Sequence, residues 1–391
     1  MPITEYQFIE ADSDYYAISL NFTGGIKAWK LDHNEWSLGP IEYFGAPTII
    51  ASLSDSELRS AISHLGISPV QYENTNVSGG IATTFLRSAS AGQSDVSIGP
   101  ADVWHNISKN IGRDRIRRYR CERTEANFSE IKKEKPKTTF DERYADYISD
   151  SLRSMDICVG AICSYYHQAL IAAIRSKQQP GTGVATTADL PFIANVHSFF
   201  IHVGAARDYL ALLIARRLNL RDKINGMNRL VEDLDWDSVS IDPLILKLVS
   251  EGCLARKDGS TKCKVSGWLE QVSNLRNTLV HKRPYGSHAD EQLGRIEKVE
   301  GLNGHFVYIK PIVMGDANIK DTLDVVADTY AKMGRLFLDL AGVSGGDTSI
   351  PVLTDGQISE VNAGGGSDST MRSIALRSAP LEAPPHATMW N

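Results

Sequence analysis

Arg276, Asn277 and His281 lie close together in the run Leu275-Arg276-Asn277-Thr278-Leu279-Val280-His281. Histidine is the natural proton carrier near neutral pH. A guanidinium can hold a phosphate through two parallel hydrogen bonds and stabilise charge that develops on it. An Arg-x4-His pair thus supplies a base and an anion stabiliser, the two groups that phosphodiester chemistry needs. The spacing occurs twice more. Arg283 to His288 spans Pro284 and Gly286, which no continuous helix accommodates. Arg59 to His64 falls on a short N-terminal helix with no long helices around it. There is no GxxxxGK[ST], no HExxH, and no GxSxG in a strand-turn-helix setting. Cys158 and Cys163, and Cys253 and Cys263, lack zinc-site spacing with a second pair nearby. No metal and no cofactor is expected.

A second chemical feature is the segment GRDRIRRYRCER. Between Arg113 and Lys137 there are ten Lys/Arg against five Asp/Glu, a local balance of +5, while the whole chain carries −6. Arg115, Arg117, Arg118 and Arg120 are candidates for phosphate contacts, with Tyr119 available for stacking. Lys282 and Arg283 add positive charge beside His281. Arg207 and Asp208 are candidate supporting groups on a second helix, where a plain salt bridge is the simpler role. Asp114 with Glu130 and Lys132 loosely imitates an Asp…Glu-x-Lys metal-dependent nuclease site, a rival reading without the strands such a site needs.

These residues must be positioned by the elements around them. Tyr15 to Phe22 and Gly25 to Leu31 read as strands of a hairpin, separated by Thr-Gly-Gly. Ser54 to Leu65 reads as a short helix, with Ser54 as N-cap, Glu57 three residues on, and Gly66 at the end. Gly79-Gly80 and Ala89 to Pro100 read as loops. From about 146 the pattern turns helical. Leu152, Met155, Val159, Ile162, Tyr166, Leu170 and Ile174 fall at steps of three and four across a helix from Ile148 to Lys177. Phe199 to Leu220 is apolar almost all round, the mark of a buried helix. Further helices are expected after Asp242-Pro243, from Ser266 to about Lys282, and from Ile319 to Leu340, with a hairpin from Arg295 to Ile312 across Asn303-Gly304. The expected fold is α+β. Residues 1–145 form a mixed β-containing domain, 146–343 a helical bundle with a small β insertion, and 344–391 a flexible tail.

On the helix from Ser266, Trp268, Val272, Leu275 and Leu279 form the stripe expected to face the core. Asn277 and His281 share a face roughly opposite, and Arg276 lies on the flank beside Val280. His281 is in the last turn, where the helix dipole favours a protonated ring and tilts it toward acid duty.

Arg-x4-His with a polar residue after the Arg, on a helix of an all-α bundle, resembles the HEPN family (higher eukaryotes and prokaryotes nucleotide-binding). The resemblance covers roughly residues 146–343. It implies a homodimer whose two-fold interface joins both 276–281 motifs, an isologous contact. It also implies metal-independent RNA cleavage by the 2′-hydroxyl, leaving a 2′,3′-cyclic phosphate and a 5′-hydroxyl. Arg276, Asn277 and His281 would be the catalytic set, and use in toxins or antiviral defence follows from the same resemblance. The alternative is a non-catalytic helical interaction or dimerisation module, with the basic segment docking a regulatory protein or a nucleic acid.

The composition is that of a globular protein, 42% hydrophobic and 23% charged over 391 residues. Five cysteines argue for a reducing compartment, most simply the cytoplasm. The longest clean apolar run, Tyr209 to Ala215, is far short of a bilayer span, and MPITEYQFIEADSD lacks the apolar stretch of a signal peptide, so no membrane association is expected.

Overall fold

A computed structural model describes residues 15–32, 35–78, 81–89, 98–122, 137–220, 223–237, 242–302, 304–314 and 318–351. The chain is α+β, with an N-terminal antiparallel sheet and a helical C-terminal region.

The sheet has six strands: β1 (Tyr15–Phe22), β2 (Lys27–Asp32), β3 (Glu35–Tyr43), β4 (Ala46–Ser54), β5 (Pro69–Ser78) and β6 (Ile81–Ser88). Their order is β4-β3-β2-β1-β5-β6, every pair antiparallel. The expected first hairpin is β1–β2, turned through Thr23–Gly25. Ile18, Ser19, Leu20, Asn21 and Phe22 are all buried, so this central strand is covered on both faces. Helix α1 (Asp55–Leu65) starts at the expected capping box, with the Glu57 N–H on Ser54 Oγ and the Ser54 N–H on Glu57 Oε2. It ends at Gly66, whose φ of 63° suits glycine.

Most of the expected loop from Ala89 to Pro100, residues 90–97, lies outside the described residues; helix α2 (Pro100–Glu122) follows and takes up the first half of the basic segment. Helix α3 (Phe140–Arg175) begins earlier than expected, at a capping box of Thr139 and Glu142, and buries the anticipated stripe from Leu152 to Ile174. Helix α4 (Asp189–Arg217) runs beside it and begins ten residues before Phe199. Their most apolar 18-residue stretches have a mean hydropathy of 1.5 and 1.3, so by length and composition both helices could cross a bilayer. Clean apolar runs had not shown this; 50% and 61% of those stretches are buried inside the fold.

Shorter elements follow: α5 (Met227–Asp233), α6 (Pro243–Ser250), β7 (Leu254–Arg256), β8 (Cys263–Val265) and α7 (Gly267–Asn277). Asp242 caps α6 by accepting the Leu244 N–H at 2.8 Å. A π turn, Thr278–Lys282, continues α7. Then come α8 (Ala289–Gln292), β9 (Arg295–Lys298), β10 (Phe306–Ile309), β11 (Pro311–Val313), β12 (Ile319–Asp321) and α9 (Thr322–Val343). The expected hairpin is β9–β10. The expected last helix begins three residues late because Ile319–Asp321 pairs with Pro311–Val313, leaving Asp321 as N-cap.

The boundary expected at 145 lies inside α3, and one hydrophobic core runs from Ile18 to Ala341. Buried Gln71 of β5 donates to the Asp156 carbonyl at 2.8 Å and to the Tyr330 hydroxyl at 3.2 Å, joining sheet, α3 and α9. The first residues of the expected tail are also held. Asn110 on α2 donates to the carbonyls of Asp347 and Ser349 at 2.9 and 2.8 Å. The rest of the tail from 352, Asn303, Gly79-Gly80, and the basic residues 123–136 lie outside the described residues.

Candidate active site

The backbone at the end of α7 decides where the motif side chains go. In an α-helix, residues five apart diverge by about 140° around the axis. From Thr278 the chain closes i→i+5 instead, with the Arg283 N–H on the Thr278 carbonyl at 2.8 Å. That wider turn brings positions 276 and 281 to one side. Arg276 Nη1 lies 3.0 Å from Asn277 Oδ1 and 3.3 Å from His281 Nε2. The divergent faces expected from a regular helix are therefore replaced by a converged triplet. Arg276 and Asn277 are half-buried, and His281 and Lys282 are exposed.

A guanidinium only donates, so the contact requires an unprotonated Nε2 on His281. Arg276 Nε is buried and has no hydrogen-bond partner among the described residues. It faces the neighbouring helix α4 at Gly204, while the contacts to Asn277 and His281 are both made by Nη1.

Leu269, Val272, Leu275 and Leu279 form the buried side of this helix, while Trp268 is only partly buried. Across it lies Gly204 of α4. A Cβ there would stand 3.1 Å from Arg276 Nε, so the glycine makes the room in which the guanidinium lies. One turn along α4, buried Arg207 donates to Ser273 Oγ at 2.6 Å and to Asp208 Oδ1 at 3.0 and 3.2 Å. Asp208 Oδ1 also accepts the Met227 N–H at 3.0 Å. Arg207 and Asp208 therefore tie α4, α5 and α7 together one turn before the motif, without contacting Arg276 directly in any observed hydrogen bond.

The exit from the turn is fixed separately. The Tyr285 N–H donates to His197 Nε2 at 3.0 Å, and Arg283 pairs with fully buried Glu291 at 3.0 and 3.1 Å. Arg283, expected as an RNA contact, is thereby engaged within the fold. Arg115 is engaged too, bidentate to Glu142 at 2.8 and 3.0 Å. Arg117 and Arg118 are exposed on α2, which packs on α3 and α9, whereas α7 packs on α4. The side chain of Arg120, and Glu130 with Lys132, lie outside the described residues; Asp114 is exposed. Among the described residues, no three His, Cys, Asp or Glu gather as a metal-holding group. Burial pushes the Cys158 thiol up to about 11 and those of Cys163 and Cys253 up to about 12, which removes them as thiolate nucleophiles.

Sequence reasoning missed Gly204, Ser273 and Glu291. Gly204 had a signal: an isolated glycine in a strongly helical pattern usually has a packing reason. Comparison with protein-family models, curated proteins and solved structures gave no match.

Proposed function

We propose that this protein is a metal-independent endoribonuclease of HEPN type, working as a homodimer through the 267–282 segment. The observation that carries the reading is the placement of Arg276 Nη1 within 3.3 Å of His281 Nε2 and 3.0 Å of Asn277, at an exposed helix end. His281 takes the proton of the RNA 2′-hydroxyl, and O2′ attacks phosphorus as the bond to O5′ breaks. Arg276 stabilises the added charge on the phosphoryl oxygens. Asn277 holds Arg276 in place. His281 of a second copy across the two-fold axis protonates O5′, giving a 2′,3′-cyclic phosphate and a 5′-hydroxyl. The N-terminal sheet would dock or recruit RNA or a regulatory protein, and exposed Lys282, Arg117 and Arg118 would hold phosphates. Use in toxin action or antiviral defence follows from the resemblance, and the five cysteines fit a cytoplasmic location.

The second reading is a non-catalytic helical interaction or dimerisation module that binds a protein or nucleic-acid partner. Kinetics in EDTA separate the two. His281→Ala and Arg276→Ala each lower RNA cleavage at least a hundredfold, in line with the 10²–10⁴ usual for general acid–base groups. Cleavage that is equal in the variants and the wild type overturns the nuclease reading.

A further inference from the structure

The π turn that brings Arg276 and His281 together has no cause among its own residues, since Thr278–Lys282 contains neither glycine nor proline. The cause lies just beyond it. Pro284 disfavours helical backbone at the residue before it, and Arg283 is extended, with φ −146° and ψ 101°. The helix therefore ends at Lys282, yet the Arg283 N–H still closes the turn on the Thr278 carbonyl at 2.8 Å. What holds Arg283 also holds the width of that turn.

Arg283 is held by Glu291. Its Nη2 donates to Glu291 Oε1 at 3.1 Å, and Nη1 lies 3.0 Å from Oε2. Nη2 also donates to the Val313 carbonyl at 3.1 Å. Glu291 is fully buried, and it accepts two backbone N–H groups besides, Val313 on Oε1 and Gly286 on Oε2, both at 2.9 Å. A buried carboxylate surrounded by donors is fixed in place, and it fixes the guanidinium opposite it. The loop does not need this pair to close. Tyr285 is tied down separately, through its hydroxyl to Thr322 Oγ1 at 2.8 Å and to the Pro311 carbonyl at 3.1 Å.

We propose that Glu291 is the positioning residue of the Arg276–His281 site: through Arg283 it keeps the turn wide, and the wide turn keeps the His281 ring against the Arg276 guanidinium. The inference rests on the reading of that pair as the active site and names what keeps it assembled. Glu291 touches neither of the two side chains, so its effect is on geometry alone. That geometry has a spectroscopic signature. An Nε2 that accepts from Arg276 leaves the ring proton of a neutral His281 on Nδ1, whereas a neutral histidine free in water prefers the Nε2–H form. Once Arg283 is released, the turn relaxes toward a regular helix, in which residues five apart diverge by about 140°, and the ring returns to Nε2–H.

The test reads the His281 tautomer from ring-carbon NMR shifts of the full chain, labelled with carbon-13 histidine, at about pH 9, above the usual imidazole range. The His281 signal is the one lost in His281→Gln. Wild type is expected to show the Nδ1–H form. Glu291→Gln, which sets an amide donor among donors, is expected to show Nε2–H. Arg283→Lys keeps the charge opposite Glu291 but loses the fork, so it decides the matter where Glu291→Gln does not fold, and it too is expected to show Nε2–H. Asp290→Asn, at an exposed neighbour on α8, is expected to keep Nδ1–H, which separates this role from a general loosening of the loop. Thermal unfolding checks that each protein is folded. On single-stranded RNA, Glu291→Gln is expected to lower kcat about tenfold with KM nearly unchanged. The Nε2–H form in wild type overturns the inference. So does Nδ1–H in the folded Glu291 and Arg283 variants, or an undiminished kcat in Glu291→Gln where wild type cuts. The two readings fail separately. The tautomer change, with no RNA cut by wild type, leaves the positioning role standing without the nuclease. RNA cut by wild type, with one tautomer in every protein, does the reverse.

Discussion

At the scale of single residues, the site depends on space as much as on chemistry. Arg276 lies where a side chain at 204 would be, 3.1 Å from the position of a Cβ. Gly204→Ala is expected to displace the guanidinium and lower RNA cleavage about tenfold, with little change in the unfolding temperature. An unchanged rate would show that Arg276 does not need that position. The motif residues were legible in the sequence because their types announce proton transfer and anion binding. Their mutual geometry was not, since a regular helix separates positions 276 and 281 and nothing in Thr278–Lys282 announces a π turn. Nor was the engagement of Arg283 and Arg115 legible. Glu291 is eight residues from Arg283 and Glu142 is 27 from Arg115, and an arginine with an internal carboxylate partner reads in sequence like any other basic residue.

At the scale of elements, the parts with local signals were the readable ones. Caps are local chemistry, so α1, α6 and the end of α1 at Gly66 fell where expected. The stripe along α3 is periodic and buried as read. The strands β3 to β6 were missed for a physical reason. Strand β5 reads Pro69-Val-Gln-Tyr-Glu-Asn-Thr-Asn-Val-Ser78, and its polar residues are paid for by tertiary partners such as Tyr330 and Asp156, not by local pattern. The start of α3 was missed because its first two turns are polar and aromatic. Thr139→Ala removes the capping hydroxyl there and is expected to cost about 1 kcal/mol of stability by urea unfolding. No change in the midpoint would mean that packing alone fixes this end.

At the scale of the whole molecule, the sheet and the helices share one buried cluster, and α3 packs on both. Buried polar groups hold its layers in register. Asp156, between Gln71 and Tyr330, is raised by burial to about 8, and Asp321, held by Tyr166, is raised by burial to about 7. Both stay protonated in the folded chain at a pH where the unfolded chain has lost those protons. Their contribution to stability is full below about pH 4 and is lost as pH rises through about 7 and 8. Each proton contributes a slope of at most about 1.4 kcal/mol per pH unit in that window. Asp156→Asn is expected to flatten the fall in urea stability between pH 5 and pH 8; an identical slope in variant and wild type would contradict this.

The central claim is that Arg276 and His281 cut RNA without a metal. The direct measurement is the end group left on 5′-labelled single-stranded RNA after incubation in EDTA with wild type and with His281→Ala. The account predicts fragments ending in a 2′,3′-cyclic phosphate from wild type, formed at least a hundredfold more slowly by the variant. RNA left intact by wild type, or the same fragments at the same rate from both, would contradict it.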